Sequence, residues 1–264
     1  MHPILFTIDW FENPISIHSY GVLIALGALA GFIYASVTAK KELGIENQTM
    51  QGLARTIIIA AFLGGKVLYY FEDPGFYFVP PSNMLHNFRT GFVFYGSLLF
   101  VIPSVIWYFR KYKLPVMPML DIVAVAGIII HSFGRMGCFL AGCCYGRETE
   151  GPIFITFTDQ ASVAPTGVHL HPTQLYSVTL LMIILVIVLM FKRHKRFEGQ
   201  LFFIYIMLYA FGRGIIEIFR GDIRRGFIIE DVLSHSQLIS LALIATIGFF
   251  YVKFLRKSRA TTKP

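Results

Sequence analysis

Seven long apolar stretches alternate with polar segments along this chain. At about 1.5 Å of rise per residue, most of them are long enough to cross a hydrocarbon core of roughly 30 Å as α-helices. The pattern therefore predicts seven membrane spans, of which the fourth is short unless it continues to Phe139. The predicted spans are Ile17–Val37, Gly52–Tyr70, Gly91–Tyr108, Leu120–Phe133, Leu175–Phe191, Leu201–Phe219 and Gln237–Phe254.

The composition indicates the same fold class. Hydrophobic residues make up 55% of the 264 residues, charged residues only 14%, and the mean hydropathy is +0.64. These values favour an all-α polytopic membrane protein over a soluble domain. The sequence contains no internal repeat, low-complexity run or Gly/Ser linker, so we expect a single transmembrane domain over residues 1–264.

The segment 148–172 departs from the helical pattern, since it is too long for a tight connection. Gly151, Pro152, Pro165 and Gly167 break a helix, and Ile153–Phe157 is extended enough for a short strand. We expect this segment to form a small cap on the external side.

Basic residues gather in alternate connections between the predicted spans, and cytoplasmic connections are the ones enriched in Lys and Arg. This rule places the N-terminus outside and the C-terminus in the cytoplasm, and it accounts for most of the net charge of +8. We therefore predict no nucleic-acid partner. The N-terminus also lacks the pattern of a removable signal peptide, so the first span is expected to persist. The basic clusters are Lys40–Lys41, Arg110–Lys113, Lys192–Arg196 and Lys253–Lys263.

Polar residues in five of the predicted spans fall at a similar depth. Arg135 lies about fifteen residues beyond the cytoplasmic start of its span, and Arg213 about twelve, so both reach the outer half. Lys66 has a similar depth in the second span. Tyr20 and Tyr95 follow soon after the first and third spans enter from outside. We expect these side chains to meet in one shallow outer cavity.

Arg213, Glu217 and Arg220 recur at i, i+4 and i+7 and are expected to share one helical stripe. One interpretation is a buried ion pair that only locks the bundle. Two arginines for one carboxylate, however, leave surplus positive charge, and charge at lipid depth usually has a function. Guanidinium groups match phosphate oxygens bidentately, so the pattern favours a pocket for a phospholipid headgroup.

Two motifs near these arginines have a structural and a functional interpretation. Gly134, Gly137, Gly142 and Gly146 permit close backbone approach to a ligand, or they pack helices through small residues. The sequence HPTQLY from His171 to Tyr176 precedes the fifth span, where it also suits a helix cap.

Three cysteines, Cys138, Cys143 and Cys144, lie close together in the sequence on the predicted external side. In an oxidising compartment two of them can pair, and the sequence leaves open which two. A metal site would need more ligands at regular spacing, so the sequence predicts neither a metal nor a cofactor. His131, on an apolar helix, is expected to be a core histidine.

Six motifs together resemble bacterial prolipoprotein diacylglyceryl transferases over nearly the whole chain. They are HSYG (His18–Gly21), LGGKVLYY (Leu63–Tyr70), FYGSLL (Phe94–Leu99), GRMGCFLAGCCYG (Gly134–Gly146), HPTQLY (His171–Tyr176) and GRGIIEIFR (Gly212–Arg220). The resemblance implies a seven-span plasma-membrane enzyme that moves the diacylglyceryl group of phosphatidylglycerol onto the lipobox cysteine of a prolipoprotein, releasing glycerol phosphate. Its implied partners are phosphatidylglycerol, prolipoprotein signal peptides and membrane lipids.

The resemblance also implies the site residues. Arg135 and Arg213 are expected to stabilise the departing phosphate, Glu217 to orient Arg213, and Tyr95 to take part in catalysis. The residues expected to bind substrate are Tyr20, Lys66, Gly96, Gly137, Cys138, Cys143, Gly146, His171, Gln174, Tyr176 and Arg220.

The chain departs from the family pattern at several polar positions. Tyr95-Gly96-Ser97 stands where the family usually has His-Gly-Gly. Cys138 and Cys143 replace the usual Asn and Glu, and Lys66 stands where Arg is common, although a point charge does not reproduce a planar fork.

Two interpretations of these departures remain open. In the first, the chain is a transferase in which Tyr95, His131 or His171 helps to remove the thiol proton, or the acceptor thiol ionises beside the arginines. In the second, the lipid site persists while a cysteine acts as a nucleophile or redox thiol, or the protein binds phospholipid without turnover. A transporter is less favoured, because the sequence shows neither an internal repeat nor a continuous polar path.

Overall fold

The structure is a computed structural model that describes residues 2–10, 13–72, 74, 91–221, 227–229 and 233–261. Seven helices lie within these ranges, and they make the chain mostly helical, as predicted. They are α1 Ser19–Leu43, α2 Asn47–Glu72, α3 Phe94–Lys111, α4 Val116–Ala141, α5 Thr173–Lys192, α6 Gln200–Glu217 and α7 His235–Thr261. Six of them are long and apolar enough to cross a membrane; the 18-residue α3, which ends on Arg110 and Lys111, is not among the six.

The bounds of every helix differ from those of its predicted span, and three of the differences are described here. Helix α4 continues well beyond Phe133, so the fourth span is full length. Helix α3 begins at Phe94 and not at Gly91. Helix α6 ends at Glu217, because the chain then tightens: the Phe219 N–H donates to the Ile216 carbonyl at 3.0 Å.

The chain packs as two units, Met1–Ala35 with Leu120–Pro264, and Ser36–Met119. We call them the larger and the smaller unit. The expected single transmembrane domain stays a prediction.

Helices α4, α5 and α6 form the core of the larger unit. Ile128, Leu181, Ile184, Val188 and Leu201 are fully buried there. Because lipid is as apolar as these side chains, the packing itself holds the helices together.

Asp121 connects the beginning of α4 to the beginning of α6. Its carboxylate accepts hydrogen bonds from the backbone N–H groups of Gly199 (3.0 Å) and Leu201 (2.8 Å), and it pairs with Lys195 at 3.3 Å. These backbone donors belong to the first turn of α6, which has no partners within the helix. Helices α4 and α6 run in the same direction. The contact at their first turns therefore determines which residues of the two helices face each other further along, such as Arg135 and Tyr209.

In the smaller unit, α2 and α3 pack as an antiparallel pair. Gly64 and Gly96 face each other so closely that a Cβ atom on either would collide with the other's carbonyl oxygen. Ser97 Oγ donates to the Ala61 carbonyl at 2.8 Å, and Tyr108 OH donates to the Thr49 carbonyl at 2.8 Å. Small residues and side-chain hydrogen bonds are the usual means of joining helices in lipid.

The segment 148–172 contains a two-stranded antiparallel sheet of β3 Ile155–Thr156 and β4 His169–Leu170. Phe157, Ala164 and Leu170 form its own small hydrophobic core. The strand predicted over Ile153–Phe157 is present in shortened form.

Two further strand pairs lie in the larger unit. In chain order all six strands are β1 Ile4–Trp10, β2 Asn13–His18, β3, β4, β5 Phe227–Ile229 and β6 Leu233–Ser234, and β1–β2 and β5–β6 pair antiparallel. The charge rule makes the connections after the second and sixth predicted spans external, and most of residues 71–90 and half of residues 221–236 lie outside the described residues.

Candidate active site

A ladder of polar side chains connects α4 to α6 in the larger unit. His131 Nδ1 lies 3.3 Å from Tyr205 OH, and one helical turn further Arg135 Nη2 donates to Tyr209 OH at 3.3 Å. Arg135 Nε also donates to His131 Nε2 (3.4 Å), which lies 3.2 Å from Tyr209 OH. With Nε2 accepting, His131 carries its proton on Nδ1. His131 therefore holds the Arg135 guanidinium in place.

A triad of charged groups lies at the end of α6. Arg213 Nη1 contacts Glu217 Oε2 at 2.6 Å, and Arg220 Nη1 contacts the same oxygen at 3.7 Å. The Glu217 side chain is 3% exposed, while those of Arg213 and Arg220 are 13% and 16% exposed. Among the described residues, one carboxylate thus contacts two guanidiniums in a largely buried place.

Arg220 is positioned by backbone pairing and not by the helix. It follows the end of α6, and its backbone forms an isolated bridge with Gly146. On either side, the Arg147 N–H donates to the Phe219 carbonyl (2.9 Å) and the Gly221 N–H to the Tyr145 carbonyl (3.2 Å). The prediction that Arg220 shares a helical stripe with Arg213 and Glu217 is therefore wrong, because Arg220 lies beyond the end of the helix. Its side chain still reaches Glu217.

Gly146 is the point where three chain segments meet. Its N–H donates to the His171 carbonyl at 3.0 Å. A Cβ atom here would come within 2.5 Å of the His171 carbonyl oxygen and 2.8 Å of the Phe219 oxygen. Only glycine at this position allows the segment before α5 and the segment after α6 to approach the backbone at residue 146 from both sides.

Helix α4 ends in a turn that gathers the cysteines. Gly142 is left-handed (φ 75°), its N–H donates to the Phe139 carbonyl (3.3 Å), and the Cys143 N–H donates to the Cys138 carbonyl (3.1 Å). These two hydrogen bonds form a Schellman motif, which brings Cys138 and Cys143 close together. Cys144 also has a positive φ of 58°. The three Sγ atoms lie within 4.8 Å of one another, and all three thiols are free.

Electrostatic interactions connect these thiols to the arginines. Hydrogen bonds from the thiols of Cys138 and Cys143 lower the pKa of the Cys144 thiol, and the positive charges of Arg220 and Arg135 lower it further, against the effect of burial. The two arginines therefore favour the thiolate form of Cys144.

The HPTQLY motif fastens the cysteine turn to the start of α5. Gln174 Nε2 donates to the Cys143 carbonyl (2.8 Å), and Thr173 Oγ1 donates to the Cys144 carbonyl (2.7 Å). Both side chains are almost completely buried. The interpretation of these two side chains as a helix cap is therefore wrong. The start of α5 has no side-chain cap hydrogen bond, and Thr173 and Gln174 donate to carbonyls of the preceding loop instead.

His171 and Tyr176 complete this motif. His171 Nδ1 lies 3.1 Å from Tyr176 OH. Burial lowers the pKa of His171, and the positive charge of Arg147 lowers it further, so the ring is neutral at pH 7.

Tyr20, near the beginning of α1, approaches the same region. A Cβ atom on Gly137 would lie 3.0 Å from Tyr20 Cδ2, so the glycine makes room for the ring. The phenol interacts electrostatically with the three cysteines and with Arg135, and the residue is 44% exposed.

Comparison with known proteins identifies the family. The family model described as prolipoprotein diacylglyceryl transferase matches residues 3–253. This chain belongs to that family. The family predicted from the six motifs is thereby confirmed.

Three curated relatives show the same likeness over nearly their full length. Each is named phosphatidylglycerol–prolipoprotein diacylglyceryl transferase, the second with the suffix 2. The protein from Clostridium tetani is 38% identical, covering 95% of this chain and 96% of the relative. The Clostridium perfringens protein is 31% identical (94% and 95% covered), and a Dehalococcoides mccartyi protein is 30% identical (92% of each).

The remaining predicted site residues lie in the smaller unit. Lys66 Nζ donates to the Gly91 carbonyl at 2.9 Å and lies 5.5 Å from the centre of the Tyr69 ring. Gly96 packs against α2, as described above, and Tyr95 is 73% exposed. That these residues join the arginines in one cavity stays a prediction.

Tyr205, Tyr209 and Arg147 were not predicted from the sequence. Tyr205 and Tyr209 precede Arg213 at steps of four residues, so they extend the polar stripe of α6 toward its start. A periodicity search over the whole span, including hydroxyl groups, would have found them. Arg147, whose guanidinium lies 6.0 Å from the centre of the Phe219 ring, has no comparable local signal.

Proposed function

We propose that this chain transfers the diacylglyceryl group of phosphatidylglycerol to the thiol of the lipobox cysteine in prolipoproteins and releases glycerol phosphate. The names of its relatives support the two substrates. The observation that carries the proposal is that Arg213 and Arg220 meet at Glu217 on the outer part of α6, while Tyr209 of the same helix holds Arg135.

The reaction explains why such a site is useful. The acceptor thiolate attacks an sp³ carbon of the lipid, the carbon–oxygen bond to the phosphate breaks, and the phosphate oxygen keeps the electron pair. Negative charge therefore grows on the phosphate in the transition state, and fixed cations in a water-poor site stabilise it. Little reorganisation is needed at that moment if Arg135 and Arg213 keep the positions in which Tyr209 and Glu217 hold them.

Arg135 and Arg213 are the residues we assign to the phosphate. Among the described residues, the hydrogen bonds of Arg135 occupy Nε and Nη2, which leaves the Nη1 side of its fork for a ligand. Glu217 orients Arg213 through the 2.6 Å contact, and Arg220 contacts the same carboxylate.

Residues around this centre are proposed to receive the lipid and the peptide. Tyr20, Gly137 and Gly146 shape the space, Gln174 holds the turn at Cys143, and His171 contacts Tyr176. From the smaller unit, Lys66 and Gly96 are proposed to contact substrate and Tyr95 to assist catalysis.

We place the protein in the bacterial plasma membrane, with its N-terminus outside and its C-terminus in the cytoplasm. The alternation of basic clusters supports this orientation. The charged site then opens to the outer leaflet, where a lipoprotein signal peptide presents its cysteine. Cysteine-accessibility labelling at engineered terminal positions in intact cells tests the orientation.

The experiment that tests the function uses purified chain, phosphatidylglycerol labelled in its diacylglyceryl part, and a peptide with a lipobox cysteine. We expect a thioether-linked diacylglyceryl peptide together with an equal amount of glycerol phosphate. The same peptide with serine in place of the cysteine is the control and must stay unmodified. Binding of the lipid without any thioether product would favour the phospholipid-binding alternative and contradict the proposal.

A further inference from the structure

Three thiols in one place are more than the proposed transfer requires from this chain. Cys138, Cys143 and Cys144 are all the cysteines the protein has, and their Sγ atoms lie within 4.8 Å of one another. Among the described residues, no His, Asp or Glu ligand atom joins this group. In the part of the chain that the structure describes, the arrangement thus offers three soft sulfur ligands and leaves the fourth position of a tetrahedral site without a protein ligand.

The spacing of the sulfurs suits a thiophilic cation. With Zn–S bonds of about 2.3 Å in a tetrahedral site, two sulfurs stand about 3.8 Å apart. The three thiols reach this spacing by movements of roughly 1 Å or less, which side-chain rotation provides. The backbone beneath them is held by the Schellman turn and by the side chains of Thr173 and Gln174.

The charges around the group suit an anionic complex. Three thiolates and one divalent cation leave a single net negative charge. Arg135 and Arg220 both interact electrostatically with Cys144, so their positive charges favour the anionic complex. All three cysteines are partly exposed.

We propose that Cys138, Cys143 and Cys144 bind one thiophilic d¹⁰ divalent cation of the Zn²⁺ class, and that the acceptor cysteine of the peptide is its fourth ligand. This inference rests on the proposed function for the identity of that fourth ligand. Catalytic zinc sites have this pattern of three protein ligands and one open position, and a coordinated thiol is deprotonated outright.

The site would supply the activation step of the reaction. The acceptor thiol binds the cation and its proton passes to water; the coordinated sulfur then forms the new S–C bond while the C–O bond to phosphate breaks. The cation keeps its charge, and neither oxidant nor reductant is involved. Proton removal then needs neither His131, whose Nε2 accepts from Arg135, nor His171, which is bound to Tyr176.

The first test measures binding without turnover. Titrating Cd²⁺ into the purified chain should give the ultraviolet thiolate-to-Cd²⁺ charge-transfer band, saturating at one ion per chain. Each single variant, Cys138→Ser, Cys143→Ser or Cys144→Ser, should lose about a third of the band, because its intensity scales with the number of bound thiolates. Met136→Leu, which removes a neighbouring thioether, is the matched control and should keep the full band. No band in the unaltered chain, or a band that persists in the triple serine variant, overturns the proposal.

The second test adds the acceptor. A lipobox peptide should raise the Cd²⁺ band by about a third of its three-thiolate value, and its serine counterpart should leave it unchanged. Lipid transfer should fall at least 100-fold in chain freed of metal by a chelator and return with Zn²⁺. Full transfer by metal-free chain overturns this inference and leaves the proposed function standing. A peptide-dependent band without any transfer supports the metal site and contradicts the proposed function instead.

Discussion

The helix pairs α4–α6 and α2–α3 are both joined by polar side chains within apolar helices, but they use these side chains differently. In α2–α3, Ser97 and Lys66 donate to backbone carbonyls, and glycines bring the helices together. In α4–α6, His131, Arg135 and Tyr209 bond to one another. Polar groups that end on carbonyls stabilise a fold, whereas side chains that hold one another fix the position of a charged group, which in our proposal faces the phosphate.

The largest expected effect comes from removing an arginine that we assign to the phosphate. Arg135→Ala and Arg213→Ala should each lower transfer to the labelled peptide at least about 100-fold, because they remove preorganised stabilisation of the departing phosphate. Arg193→Ala, at an exposed position in the connection between α5 and α6, is the control and should keep full activity. Near-normal rates in either of the first two variants would refute the assignment.

Gly146→Ala should come next in size. The new Cβ atom meets the His171 and Phe219 carbonyls, so the segments that position Arg220 must separate, at about 1–3 kcal/mol of stability. We expect a lower melting midpoint in detergent and a loss of transfer. Gly214→Ala is the matched control, since nothing lies within 4 Å of its Cβ position in α6. Equal behaviour of the two variants would contradict the proposed close approach.

Lys66→Met sharpens the comparison between the two helix pairs. It removes the hydrogen bond to the Gly91 carbonyl at a buried position, and we expect about 1–2 kcal/mol of lost stability. Measuring KM for phosphatidylglycerol alongside the melting midpoint separates the two roles. A change in the midpoint alone indicates packing, and a raised KM at an unchanged midpoint indicates the proposed substrate contact.

The smallest expected effect is a pH dependence of stability. Because the pKa of His171 is lowered from its ordinary value of 6.5, its contribution to stability is full above that pH and declines as the pH falls below it. The melting midpoint of the unaltered chain should therefore drop between about pH 7.5 and about pH 5.5. His171→Gln should show a smaller drop; an equal drop would assign the effect to another group.

Prediction from the sequence succeeded where the signal is local or summed over many residues. The apolar stretches predicted the helical membrane fold, and the six motifs predicted the family. The predicted helix ends were inaccurate, since α4 extends past Phe133 and α6 stops at Glu217. Where a helix ends depends on contacts with other segments of the chain, which a local pattern does not contain. The site residues themselves remain predictions, now with a geometry that experiments can test.

The sequence by itself determined the contacts between residues a few positions apart. Arg213 meets Glu217 because four residues make about one helical turn, and Cys138 meets Cys143 because Gly142 allows the chain to fold back at the end of α4. Only the tertiary structure decided that Tyr209 holds Arg135, that Gln174 holds the cysteine turn, and that Arg220 pairs with Gly146. Those partners are far apart in the chain, and helix packing, which no short spacing encodes, brings them together.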